Sequence, residues 1–257
     1  MTKILMTHLY YSDPNREFSD QLAETLLNSG ADFLEVGIAY TDPVCDGEVF
    51  QRACKRALLN GITPFQVLKG IKNIREKGCK NPIYLTSYFA PIYKIGLEKF
   101  VSLAKSTGVT GLIIPDLLFE EQQSLRRLTD KYGLSLIQFA TVYSTKERLK
   151  ETVRASTDFI YCVSLPGVTG DKKLALSEVE GLLKSLKSLT DKKIYVGFGI
   201  QNRDEVQKIL EMGADGVIVG SAIAGMYEGN LYNPSKSLPK ISQFINSLKE
   251  VTIKEEI

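Results

Sequence analysis

Ser29-Gly30-Ala31-Asp32-Phe33-Leu34-Glu35-Val36-Gly37 closes an amphipathic stretch, turns at a glycine and opens an apolar run of strand character. A close copy returns as Met212-Gly213-Ala214-Asp215-Gly216-Val217-Ile218-Val219-Gly220, and a looser one as Thr107-Gly108-Val109-Thr110-Gly111. Recurrence at the spacing of one or several β–α units marks a fold built from strand–helix repeats. Working outward, strand-like runs occupy 3–10, 32–38, 82–89, 111–115, 134–142, 158–165, 193–200 and 215–221. Helical periodicity falls near 17–29, 49–60, 63–77, 96–107, 119–132, 145–156, 178–190, 202–212 and 235–250. Gly30, Gly108, Gly133 and Gly213 each stand between a helix and the next strand, where glycine closes a helix in the left-handed conformation without a Cβ penalty.

Eight such units in 257 residues match one α/β (β/α)8 TIM barrel, expected as a single domain over residues 1–257. A doubly wound open sheet is the alternative. It lacks its fingerprint, because Tyr10-Tyr11-Ser12-Asp13-Pro14 stands where a G-x-G-x-x-G turn would follow the first strand.

Composition excludes several function classes. With 32 Lys+Arg against 30 Asp+Glu the net charge is +2, and no block of like charge suggests a nucleic-acid or membrane-surface partner. No apolar run approaches the roughly 18–20 residues of a membrane span. The N-terminus, with one Lys and a short apolar stretch before His8, does not read as a secretory signal, so a cytoplasmic location is expected. Cys45, Cys54, Cys79 and Cys162 form no C-x-x-C pair, and His8 is the only imidazole; this disfavours a zinc site and suggests thiols acting as small buried hydrophobes. Chemistry is therefore expected to run on carboxylates.

In a (β/α)8 barrel the reacting groups stand at the C-terminal ends of the strands and in the loops beyond them. Two loops are long, from Ala39 to Glu48 and from Pro166 to Ser177. Alternation puts Leu34 and Val36 on the helix-facing side of the second strand, which turns Glu35 into the barrel. Burial there would raise its pKa and suit a general acid, or equally a Glu paired inside the barrel with a Lys or Tyr. Asp46 and Asp42 lie in the loop that follows, where an Asp is commonly a turn residue. Glycine clusters end three consecutive strands: Gly167-Val168-Thr169-Gly170, Gly197-Phe198-Gly199 and Gly220-Ser221-Ala222. They suit backbone N–H groups cradling a phosphate, with Ser221 at the start of a short helix. His8, Tyr88 and Tyr161 fall near strand ends and read first as packing, and His8 is given no catalytic role.

The run Leu34-Glu35-Val36-Gly37-Ile38-Ala39-Tyr40-Thr41-Asp42-Pro43-Val44-Cys45-Asp46-Gly47 is similar to the signature of the tryptophan synthase α chain family. The resemblance continues through Ile114-Pro115-Asp116-Leu117, the Gly167 and Gly220 clusters, and Val196-Gly197-Phe198-Gly199-Ile200. It implies retro-aldol cleavage of indole-3-glycerol phosphate to indole and D-glyceraldehyde 3-phosphate, with no metal or cofactor. By resemblance Glu35 is the acid/base that protonates indole C3 and helps deprotonate the glycerol hydroxyl, and Asp46 holds the indole N–H. Tyr88 and Tyr161 then line the substrate pocket, and Thr169 belongs to a closing loop. Gly170, Phe198, Gly199, Gly220 and Ser221 match the phosphate site. The chain departs from the family pattern at Ala39, Tyr40, Ala90, Leu118 and Glu48-Val49-Phe50-Gln51, several of them near positions where the family contacts its β chain. The resemblance therefore implies a β-chain partner. A stand-alone lyase releasing free indole and a non-catalytic activator of a β chain are the alternatives.

Overall fold

The computed structural model describes residues 2–163, 172–197 and 199–253. Its strands are β1 (Ile4–Tyr10), β2 (Phe33–Gly37), β3 (Ile83–Thr86), β4 (Gly111–Ile113), β5 (Ser135–Leu136), β6 (Gln138–Thr141), β7 (Ile160–Val163), β8 (Ile194–Gly197) and β9 (Gly216–Val219). Around them run α1 (Arg16–Asn28), α2 (Glu48–Leu59), α3 (Pro64–Glu76), α4 (Phe89–Ile95), α5 (Leu97–Ser106), α6 (Gln123–Tyr132), α7 (Lys146–Ala155), α8 (Lys172–Lys187), α9 (Arg203–Glu211), α10 (Ser221–Glu228) and α11 (Leu238–Thr252).

All pairings are parallel, in the order β5-β4-β3-β2-β1-β9-β8-β7-β6. The two ends of that order, β5 and β6, are separated in sequence only by Ile137. The Ile137 N–H still bonds Leu112 of β4 at 3.0 Å, while Gln138 already pairs Ile160 of β7. One expected strand, 134–142, thus changes partner midway and closes the barrel, so the nine segments are an eight-stranded (β/α)8 arrangement.

The helix-closing glycines behave as read. Gly30, Gly108, Gly133 and Gly213 have φ of 102°, 89°, 63° and 103°. Helix starts carry side-chain caps, among them Asn15 on Phe18 N at 2.8 Å and Asn202 on Glu205 N at 3.0 Å. Leu34 and Val36 lie in the apolar layer between sheet and helices. The barrel interior is plugged by Met6, Tyr84, Ile113, Ile137, Phe159, Tyr195 and Ile218, each a buried side chain contributing roughly 1.5–3 kcal/mol.

Three local readings are corrected. The run 82–89 is strand only to Thr86, and Phe89 opens the short helix α4; Pro91 sits in its first turn, where no backbone donor is needed. Helix α8 begins at Lys172 rather than 178, since nothing in Lys172-Lys173-Leu174-Ala175-Leu176 breaks a helix. Only Cys54 and Cys162 are buried, whereas Cys79 is partly so and Cys45 is exposed in the loop beside Asp46. Among the described residues no helix is long and apolar enough to cross a membrane, and no cluster of His, Cys, Asp and Glu could hold a metal.

An ionic network joins α2 to α10. Arg56 grips the fully buried Asp13 with two nitrogens, at 2.6 and 2.9 Å, and reaches Glu228 with a third at 2.7 Å. Arg52 holds the same Glu228 through two bonds of 2.7 and 2.8 Å, and Tyr227 donates to Asp13 at 2.7 Å. Paired, forked bonds of this kind are the strong class of charged contact.

Candidate active site

Register puts His8 of β1 beside Glu35 of β2, and Thr86 of β3 beside Gly37. Glu35 faces into the barrel as alternation predicts and is 2% exposed. Desolvation pushes its carboxyl up to about 8; the negative field of Asp46 adds to the rise and the Thr86 hydroxyl opposes it. Glu35 is therefore mostly protonated at neutral pH. Thr86 Oγ1 donates to Glu35 Oε1, and His8 Nδ1 lies 3.5 Å from the same oxygen. Burial drives His8 down to about 3, so this is a contact between two neutral groups rather than an ion pair.

Asp46 ends the loop after β2, its N–H bonded to Pro43 O at 3.0 Å. Its Oδ2 accepts from Tyr10 OH at 2.7 Å and from Tyr88 OH at 2.9 Å. Tyr88 OH also accepts from Cys45 N at 2.9 Å, and Gln51 binds the Asp46 carbonyl at 2.8 Å. Burial raises the Asp46 pKa and the two phenol donors pull against it. Two carboxyl groups in one barrel mouth thus stand in different surroundings: one enclosed and pushed up to about 8, the other raised by burial but held by two phenol donors that favour its charge.

Tyr161 of β7 lies across Gly197, where a Cβ would come within 2.5 Å of its ring. Desolvation, Glu35 and Asp46 all hold its phenol well above the ordinary value, so it stays protonated. Gly220 precedes α10, whose first N–H groups open at the mouth. Gly199 has φ 25° with open space on its Cβ side. Thr169, Gly170 and Phe198 lie outside the described residues.

Gly220 also has a packing reason. A Cβ there would lie 2.4 Å from Phe50 Cζ, and the Phe50 ring packs tilted against His8 at 4.5 Å and edge-on to Tyr10 at 5.3 Å. Gly220→Val must displace that ring. It is expected to cost about 1–3 kcal/mol in a denaturant melt and to raise KM for a phosphorylated substrate. Unchanged stability and KM would mean that neither the ring nor the anion uses this space.

His8, Tyr10 and Thr86 are the residues sequence reasoning passed over. The signal was present in β1, where Met6, His8 and Tyr10 share the inward face. What ties His8 and Thr86 to Glu35 is pairing between strands.

The family model described as "Tryptophan synthase alpha chain" matches residues 1–253. The chain belongs to the tryptophan synthase alpha chain family. A family member from Picosynechococcus is 39% identical over 246 residues, covering 96% of this chain and 92% of the relative. One from Arabidopsis thaliana is 36% identical over 250 residues, covering 97% and 90%. The solved tryptophan synthase subunit alpha of Legionella pneumophila superposes with a TM-score of 0.89 at 30% identity, over 97% of this chain and 92% of that one. A tryptophan synthase structure from M. tuberculosis gives 0.85 at 29% identity, over 98% and 93%. Tryptophan synthase alpha chains are carbon–carbon lyases of tryptophan biosynthesis that cleave indole-3-glycerol phosphate.

Proposed function

We propose that Glu35 and Asp46 carry out the cleavage of indole-3-glycerol phosphate to indole and D-glyceraldehyde 3-phosphate. The Glu35 carboxylic acid gives its proton to indole C3, and Asp46 stabilises the positive charge that develops at the indole N–H. The resulting Glu35 carboxylate takes the proton of the glycerol hydroxyl. The carbon–carbon bond to C3 breaks, its electrons return to the ring, the hydroxyl carbon becomes the aldehyde, and Glu35 ends protonated as it began. The observation that carries this reading is the split between the two carboxyls, one pushed up to about 8 and one gripped by Tyr10 and Tyr88. Tyr88 and Tyr161 line the indole side. Gly199, Gly220 and Ser221, with Gly170 and Phe198, serve the phosphate, and Thr169 the closing loop. An indole-release assay on indole-3-glycerol phosphate tests the whole assignment, and no turnover would refute it.

The partner is a tryptophan synthase β chain docking on the catalytic face. Val44, Tyr93, Leu118 and Tyr143, in the segments after β2, β3, β4 and β6, are 71%, 69%, 63% and 60% exposed. Apolar side chains grouped on one face suit a protein interface. A partner that orders the Ala39–Glu48 loop orders Asp46 with it, removing the loss caused by open forms. Adding the β chain is expected to raise cleavage roughly 5- to 150-fold, by analogy with couplings of about 1–3 kcal/mol, and to shift the chain to an earlier size-exclusion peak. Full activity alone with no complex would favour a stand-alone lyase. The four free thiols suit a cytoplasmic setting.

A further inference from the structure

Three adjacent strands converge on a single oxygen atom. Oε1 of Glu35 receives the Thr86 hydroxyl from β3 and faces His8 Nδ1 from β1 at 3.5 Å. Oε2 of the same carboxyl is buried and has no partner among the described residues. We propose that His8 and Thr86 are positioning residues for Glu35: they clamp Oε1 from both sides and leave Oε2 as the atom that carries the transferred proton to substrate. The inference rests on the acid/base reading of Glu35 and adds which oxygen acts and what aims it.

The clamp is built from groups that hold the carboxyl without ionising it. A lysine or a charged histidine beside Oε1 would stabilise the carboxylate and strip the acid of its proton at neutral pH. Thr86 is uncharged, and burial keeps His8 neutral. His8 is itself fixed, because Phe50 packs on one side at 4.5 Å, Tyr10 stands at 5.1 Å, and Gly37 leaves room where a Cβ would come within 3.0 Å of Nε2. The other titratable groups facing this end of the barrel are Asp46 from the loop after β2, Tyr10 from β1, Tyr88 from the segment after β3 and Tyr161 from β7. Of these, Asp46 raises Glu35 and is the one negative charge acting on it.

The test uses kcat, KM and the pH profile of indole release for Thr86→Val, Thr86→Ser, His8→Phe, His8→Asn and Glu35→Gln in the full chain. Misplacing a reacting group by 1 Å can cost ~10²-fold, and loosening one side of a clamp is expected to cost on the order of 10-fold in kcat. KM should stay within about twofold, because substrate binding does not need the clamp. In Thr86→Val the loss of a donor lifts Glu35 further, so the alkaline limb of the profile moves to higher pH. Thr86→Ser restores both kcat and the limb, and His8→Asn, which keeps a polar N–H near Nδ1, recovers part of the loss in His8→Phe. Thr86→Val and His8→Phe are tested independently, so the failure of one to fold leaves the other decisive. If both fold with unchanged kcat and alkaline limb while Glu35→Gln is inactive, the clamp is refuted and the role of Glu35 stands. If Glu35→Gln turns over normally, the role of Glu35 falls first.

Discussion

Glu35→Gln is expected to bind indole-3-glycerol phosphate and to release almost no indole. The amide keeps the shape of the carboxyl and can still accept from Thr86 through its oxygen, but it has no proton to give to C3 and no charge with which to take one back. General acid–base groups contribute ~10²–10⁴-fold, so the loss in kcat should fall in that range while calorimetric affinity for substrate changes little. Normal turnover would remove Glu35 from the reaction. The same substitution should stabilise the fold in alkali. Glu35 sits at about 8 against an ordinary 4.5, so between those pH values the folded chain holds a proton that the unfolded chain lacks. Its contribution to stability is complete below about 4.5 and is lost as pH rises through about 8. Glutamine has no such loss. One pKa unit is ~1.4 kcal/mol and 1 kcal/mol moves Tm by ~2–4 °C in a domain of this size. Tm of the variant should therefore pull ahead of the parent by on the order of 10 °C between pH 5 and pH 9.

Asp46→Asn is expected to lose ~10²–10³-fold in kcat, the cost of removing a fixed group that meets developing charge. The pH profile separates this role from a turn role. The parent profile is a bell, with an acid limb set by ionisation of Asp46 above the usual carboxylate value and an alkaline limb near 8 set by Glu35. In Asp46→Asn the acid limb disappears. The alkaline limb moves down, because the Asp46 charge that helps to raise Glu35 is gone. A rate and a bell identical to the parent would assign Asp46 to the turn alone.

The inward aim of Glu35 was legible because Leu34 and Val36 flank it, and two apolar neighbours on a strand leave the middle side chain one direction to face. The helix-closing glycines were legible for a similar local reason, since a positive φ at Gly30 or Gly213 leaves a mark in the residue itself. The change of partner at Ile137 left no such mark. Ser135–Thr141 is one unbroken strand-like run, and only the positions of β4 and β7 say where the pairing switches. Ser87-Tyr88-Phe89 misled because they continue β3 in composition; the start of α4 is set by Asp116, whose carboxylate accepts from Phe89 N at 2.9 Å from 27 positions away. His8 was set aside for the same cause. An imidazole among apolar residues reads as packing until the adjacent strand is seen to bring a carboxyl against it.

The Asp13–Arg56–Glu228 network gains a different meaning once the mouth of the barrel is considered. Helices α2 and α10 both start at that mouth, one just beyond Asp46 and the other at Gly220, and Phe50 wedges between those starts. Arg56 and Glu228 lie at the far ends of the same helices. The pair is thus a set of calipers pinned at the hinge, with Asp13 buried in the pin. A change at Arg56 would therefore be felt at two helix starts at once, one beside the group proposed for the indole N–H and the other beside the glycine proposed for the phosphate.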